Sequence, residues 1–267
     1  MRFETFLALL AMGASPPNPR SGLLMTGASP TSPAASAPQA SPAPAPAPCP
    51  SDMRLVEGTH YDQVQRLCTD FRHDHCFAFL PFLTAFESPV TTIRTCMDTY
   101  EWPNRAGTEP VVMLRFVDAE ASCASAGKRL CTEYEWETAC EGPETRPFPY
   151  GFRYEAGACN SDKIYRPVSE RRLASSDAAV RDAETRRAWQ GEPSGSHPRC
   201  ESAYGVFDLT GNVEEWVQSS RPEWPYRSSL KGGYWSKPWA GCRGTNERHG
   251  PQFRFYEVGF RCCKDPA

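Results

Sequence analysis

Twelve cysteines in 267 residues constrain this chain more than any other feature. The number is even and the spacings are irregular. Glutathione keeps thiols reduced in the cytosol, so such a chain fits an oxidising compartment. The competing explanation is metal binding. A zinc ribbon shows paired C-x-x-C steps, and none occurs here. Cys262 and Cys263 are adjacent and do not ligate one metal comfortably. The cysteines are therefore expected to form disulfides.

The N-terminus fits that compartment. Arg2 precedes a short apolar run, Phe6 to Met12, followed by small residues. This is the shape of a signal peptide with a short apolar region, and residues 1–22 are assigned to it. Residues 23–48 form a linker, since from Ala28 to Pro48 the chain is mostly Pro, Ala and Ser. Such a segment has little to bury and many fixed φ angles, so an extended stalk is expected. Aromatic residues and cysteines begin at Cys49, which places one folded domain at 49–267.

No apolar run reaches the roughly 18 residues a membrane-spanning helix needs. The formal net charge is −3, with 29 basic against 32 acidic residues, so there is no electrostatic footprint for nucleic acid. The expected location is outside the cytoplasm: periplasmic, attached to the cell envelope, or secreted. A monomer is expected.

Secondary structure reads as sparse. Asp118 is a candidate cap for a helix through AEASCASA, closed by Gly127. Thr132 and Glu135 form a capping box, opening a helix to about Cys140 that stops before Gly142. Asp177–Arg181 and Asp182–Arg186 are i,i+4 pairs that favour a short solvated helix. The remainder, including VVMLRFV and VGFRCC, reads as short strands joined by long loops. Folds of this kind need staples.

One stretch carries metal-binding chemistry. In GVFDLTGNVEEW, Asp208 and Glu215 flank a Gly-Asn turn. Calcium takes six to eight oxygens, from carboxylates and from the carbonyls of a tight loop. Here Gly211 and Val213 could add carbonyls. The competing reading is that both carboxylates serve as ordinary caps.

Five segments then occur in order: GKRLCTEYEWETAC, PYG, YGVFDLTGNVEEW, KGGYW and VGFRC. Together they resemble the sulfatase-modifying-factor family, whose namesake is the formylglycine-generating enzyme. The resemblance covers about Cys96 to Cys263, and CPSDMRLVEG and CMDTYEWPN look like the front end of cysteine-rich exported members. It implies an α+β formylglycine-generating-enzyme fold, C-type-lectin-like, with low regular secondary structure. It also implies a structural calcium held by Asp208, Gly211, Val213 and Glu215, and a Cys123–Cys262 disulfide. Cys140 matches a further cystine position, whose usual partner position is Glu247 here.

The family activity is oxidation of a substrate cysteine to formylglycine, by two cysteines five apart that bind copper(I) as thiolates. Soft thiolates suit copper(I). In this chain Lys237 occupies the first cysteine position and only Cys242 remains. Tyr234 replaces the serine of the preceding segment, and Glu214 replaces a tryptophan. The copper pair is thus incomplete as written.

Cys242 is a candidate catalytic thiol if another cysteine reaches it. Otherwise it is a half-cystine bonded to Cys140, Cys131 or Cys263. His249 is a candidate general base, in a cleft with Arg243, Arg248, Lys237 and Trp239. The histidines show no helical ligand spacing, which argues against an iron-dependent branch. Three functions stand at this point, one of them a structural cell-envelope protein held out by the Pro-Ala stalk. Another is a formylglycine-generating-type oxidoreductase acting on a peptide or protein. The third is a non-catalytic peptide- or glycan-binding module of the cell envelope.

Overall fold

A computed structural model describes residues 47–221, 223 and 225–267. The leader-like segment 1–22 and the linker up to residue 46 lie outside the described residues. The first two elements are β1 (Met53–Arg72) and β2 (His75–Asp98), paired antiparallel from Met53↔Asp98 to Arg72↔His75. Their turn, His73–Asp74, has positive φ at both residues. That conformation matches the right-handed twist of a hairpin. The register slips beside Pro89 and Pro81, where proline has no N–H to give the ladder.

The inner end of the hairpin is packed into the body, with Met53, Val56, His60, Ile93 and Met97 buried. The outer half keeps Phe71, Phe82 and Phe86 exposed. Helix α1 (Phe116–Ser125) begins earlier than Asp118. Asp118 acts from inside the first turn, accepting from the Arg115 backbone N–H at 3.1 Å and from its guanidinium. The VVMLRFV stretch is not a strand. Residues 111–115 are irregular, and Phe116 already starts α1.

After the short β3 (Arg129–Leu130), α2 runs Glu133–Glu141. The Thr132 side chain accepts from the Glu135 N–H, the Glu135 carboxylate accepts from the Thr132 N–H, and Gly142 closes the helix. α3 (Glu170–Leu173) and α4 (Ala178–Ala188) follow, the latter capped by Asp177. The remaining strands are β4 (Glu214–Gln218), β5 (Ser228–Lys231), β6 (Thr245–Asn246), β7 (Val258–Phe260) and β8 (Cys262–Lys264).

Two four-stranded sheets result, ordered β1-β2-β8-β3 and β6-β5-β4-β7. VGFRCC supplies a strand to each, so the C-terminal segment joins the sheets. One core forms where α2 Trp136 and Ala139 meet the hairpin base. A second forms where α1 packs on Trp216, Leu230 and Phe260. A third gathers Trp235, Tyr256, Val213 and Leu173.

All twelve cysteines are bonded: Cys49–Cys96, Cys68–Cys76, Cys123–Cys262, Cys131–Cys263, Cys140–Cys242 and Cys159–Cys200. The fold is α+β and disulfide-stapled, and no described helix is long and apolar enough to cross a membrane.

Candidate functional site

The segment after β5 builds the site. Lys231 ends that strand fully buried, its Nζ 2.6 Å from Glu137 Oε1 and 2.5 Å from Thr245 Oγ1. Gly232 and Gly233 then turn the chain with φ of 82° and 65°. A side chain at Gly233 would meet the Ala240 Cβ at 2.4 Å. This close turn folds 234–240 back on itself and brings Lys237 over β4. There the Lys237 Nζ donates to Glu214 Oε1 at 3.2 Å and sits 4.7 Å from the Tyr234 ring centre.

Cys242 takes no part in that surface. It is fully buried and bonded to Cys140 of α2, and its N–H donates to the Pro147 carbonyl at 2.8 Å. It therefore has no thiolate to offer, which corrects its candidacy as a catalytic thiol. The Glu247 position, where the resemblance puts a partner for Cys140, is bypassed in favour of Cys242.

Lys237, Glu214, Asn246 and His249 lie at the junction of two cavity lobes of about 690 Å³ each. One lobe is walled by the apolar Leu173, Phe253, Phe255 and Val258 and by the charged Glu170, Arg254 and Glu257. The other is lined by Trp239, His75 and Arg248, and the Trp239 and His75 rings stack at 4.8 Å. His249 stacks on Phe253 at 3.7 Å. Arg243 does not join this group. It turns to Glu141 in a two-pronged ion pair at 2.7 and 3.0 Å and to the carbonyls of Tyr61 and Asp62.

Electrostatically the cleft centres on two buried carboxyls. Burial raises the Glu214 pKa, and the Lys237 ammonium opposes that rise. Burial pushes Glu257 up to about 7. The Tyr256 hydroxyl counters this and the nearby Glu214 adds to it. Glu257 Oε2 is buried without a hydrogen-bond partner. Burial, with the positive charges of Lys237 and Arg248, lowers the pKa of His249. Sequence reasoning placed Lys237 and His249 in one cleft but missed Glu257, whose stretch FYEVGFRC drew notice only for its strand and cysteine.

The expected calcium loop lies deeper. Asp208 adopts a positive φ of 59°, followed by Gly211 and Asn212 at 78° and 52°. A side chain at Gly211 would meet the Asn160 carbonyl oxygen at 2.3 Å, so glycine is required. Asp208 Oδ2 accepts from the Gly195 N–H at 2.7 Å. Both Glu215 oxygens accept from Arg261, at 2.7 and 2.6 Å, and Oε2 also from the Trp136 indole at 2.8 Å.

Glu101, from CMDTYEWPN, is a third carboxylate here, taking hydrogen bonds from Ser194 and Asn212. Three buried carboxyls thus lie near one guanidinium, which is paired with Glu215 and feels the charge of the other two. Burial pushes Asp208 up to about 6; the Gly195 N–H and Arg261 oppose this, and Glu215 adds to it. Both Glu215 oxygens are taken by Arg261 and Trp136, and among the described residues no group of three or more His, Cys, Asp and Glu side chains is arranged to hold a metal ion.

Residues 54–266 match the family model described as the sulfatase-modifying factor enzyme 1-like domain. Hercynine oxygenase of Mycolicibacterium smegmatis is 34% identical over 123 residues, 45% of this chain and 24% of the relative. The inactive C-alpha-formylglycine-generating enzyme 2 of Mus musculus is 30% identical over 162 residues, 57% of this chain and 48% of the relative. The formylglycine-generating enzyme of Mycobacterium tuberculosis is 33% identical over 115 residues, 43% of this chain and 34% of the relative. The chain therefore spans from about a quarter to about half the length of these relatives. Among solved structures, CarF superposes with a TM-score of 0.51 at 14% identity, over 81% of this chain and 98% of that one, a likeness of fold. With its motifs, its fold and a family model that covers most of its length, the chain belongs to the sulfatase-modifying factor enzyme 1-like family.

Proposed function

We propose that the protein is an exported, non-oxidising member of this family that holds a peptide segment in the Lys237–Glu214 cleft. The observation that carries the reading is the Cys140–Cys242 disulfide. Copper(I) at two protein thiolates needs two reduced cysteines. One of the two positions is a lysine in an ion pair, and the other is a half-cystine. These residues do not fit copper. The mouse relative is named as an inactive enzyme, which accords with a family member lacking the oxidation. A cleft with apolar walls and buried charge at its centre suits a mixed peptide segment. Six disulfides accord with a location outside the cytoplasm.

The test is alkylation of the native protein without reduction, followed by digestion and mass spectrometry. Cys242 is expected to remain unlabelled and linked to Cys140. Copper(I) competition should show no thiolate site, and a cysteine-containing peptide should leave unoxidised. Labelling of Cys242 together with a second cysteine would overturn the reading.

The same proposal includes a structural calcium at Asp208, Gly211, Val213 and Glu215, the ligand set the resemblance implies. The three carboxyls near Arg261 support it, because a cation would relieve their mutual repulsion. Calcium at about one hundred times its dissociation constant is expected to add about 2.7 kcal/mol of stability. This would appear as a rise in melting temperature, reversed by chelation. Asp208→Asn should abolish the rise; a melting temperature indifferent to calcium in the unmodified protein would remove the ion from the proposal.

A further inference from the structure

Glu257 is the feature of the cleft that the reading so far leaves unused. It is only 8% exposed, it lines the apolar lobe, and its Oε2 is buried with no partner. Buried carboxyl oxygens in folded proteins are nearly always hydrogen-bonded, and leaving one open is unfavourable. Neighbouring groups do not fill the gap. The Lys237 ammonium is engaged with Glu214. Tyr256 meets the same carboxyl group without satisfying Oε2. The backbone contact between the two glutamates uses the Glu214 N–H and the Glu257 carbonyl, not the side chain. What remains is a buried acceptor behind the wall of a lobe lined by Leu173, Phe253, Phe255 and Val258 together with the charged Glu170, Lys237 and Arg254.

We infer that this lobe is a recognition pocket for a lysine side chain of the bound peptide, with Glu257 Oε2 accepting from the ligand ammonium. The inference rests on the peptide-binding reading and adds its specificity. The match is one of shape and charge together. A lysine brings a four-carbon apolar stem ending in a cation, and the lobe offers apolar wall residues with a buried acceptor behind them. An ammonium is a compact point charge that a single oxygen can meet. A guanidinium asks for two parallel acceptors; of the other two glutamates lining the lobe, Glu214 is held by Lys237 and Glu170 sits on α3. A neutral aliphatic side chain would fill the lobe but leave Oε2 open. The opposite lobe, with stacked Trp239 and His75, leaves room for the residues flanking the lysine.

Titration calorimetry on the full, oxidised protein tests this with three blocked peptides, Ac-Gly-Lys-Gly-amide and its norleucine and arginine counterparts. The lysine peptide is expected to bind at least tenfold more tightly than the norleucine peptide, with arginine between them. Glu257→Gln keeps the shape of the side chain and removes its charge, so it should erase the lysine preference while norleucine binding stays. The norleucine comparison needs no variant, so the test holds even if Glu257→Gln folds poorly. Equal binding of lysine and norleucine peptides would overturn the inference while leaving the peptide-binding reading in place. A lysine preference that survives in Glu257→Gln would equally overturn it, because the acceptor would then be another group. Absence of binding by all three peptides would overturn both.

Discussion

Lys237 and Glu214 each depart from the family pattern, and in the sequence they look like two separate losses. In the structure they are one event. The lysine that takes a cysteine's place donates to the glutamate that takes a tryptophan's place. A buried carboxylate without a partner would be strongly unfavourable, so each residue makes the other tolerable. Glu257 is the third member and the one with a pH signature. Its pKa is pushed from 4.5 up to about 7. The folded state then holds this proton more tightly than the unfolded state, so stability falls as pH rises from about 4.5 to about 7. Asp208, also pushed up, acts in the same direction, and His249, pushed down, acts against it. The part due to Glu257 is at most about 3 kcal/mol. Urea midpoints measured across that range should decline less in Glu257→Gln than in the unmodified protein. Parallel declines would show that Glu257 contributes no such penalty.

At the scale of elements, what was legible depended on whether the signal is local. The α2 helix was readable because Thr132, Glu135 and Gly142 state its start and stop within ten positions. The helix after Asp177 was readable from another local signal, its two i,i+4 charge pairs, while its cap at Asp177 was seen only in the structure. The hairpin of β1 and β2 was not. Its turn is His73–Asp74, without the glycine or asparagine that usually marks such a turn. Pro81 and Pro89 sit inside β2 and read as strand breakers, yet the ladder absorbs them as register slips. The same limit applied to the site. Lys237, Cys242 and His249 were readable as chemistry, because residue type is written in the chain. That Lys237 and His249 share a cleft was read correctly, but that Cys242 and Arg243 stand outside it was not, because that depends on the turn at Gly232–Gly233 and on the bond to Cys140. Arg243 shows the difference: it follows Cys242 directly but points to Glu141, away from its neighbours.

Over the whole molecule, two long-range disulfides interleave and enclose a third. Cys123–Cys262 and Cys131–Cys263 run side by side, tying the α1–β3 region to the C-terminal strands. Cys140–Cys242 closes a shorter loop inside them. Removing one of the outer two leaves the other holding nearly the same loop. In the chain-entropy picture the single loss costs only about 3 kcal/mol, from the short ring between the two bonds. Removing both costs about 6 kcal/mol, with Cys140–Cys242 still shortening the loop. Against a typical domain stability of about 5–15 kcal/mol, Cys123→Ser/Cys262→Ser should still fold, with a lower urea midpoint. The fourfold variant that also lacks Cys131 and Cys263 should be at or past the edge of unfolding. A fourfold variant no less stable than the twofold one would refute this division of labour.

The inner bond, Cys140–Cys242, has one more consequence. It ties the segment that carries Lys237 to α2, so reduction of this one bond is expected to loosen the cleft. A newly made chain in a reducing environment would carry every residue of the cleft without this tie. Binding of basic peptides should then weaken wherever thiols are kept reduced. The bond that on the proposed reading takes Cys242 out of redox chemistry would thereby also tie the shape of the site to the redox state of its surroundings.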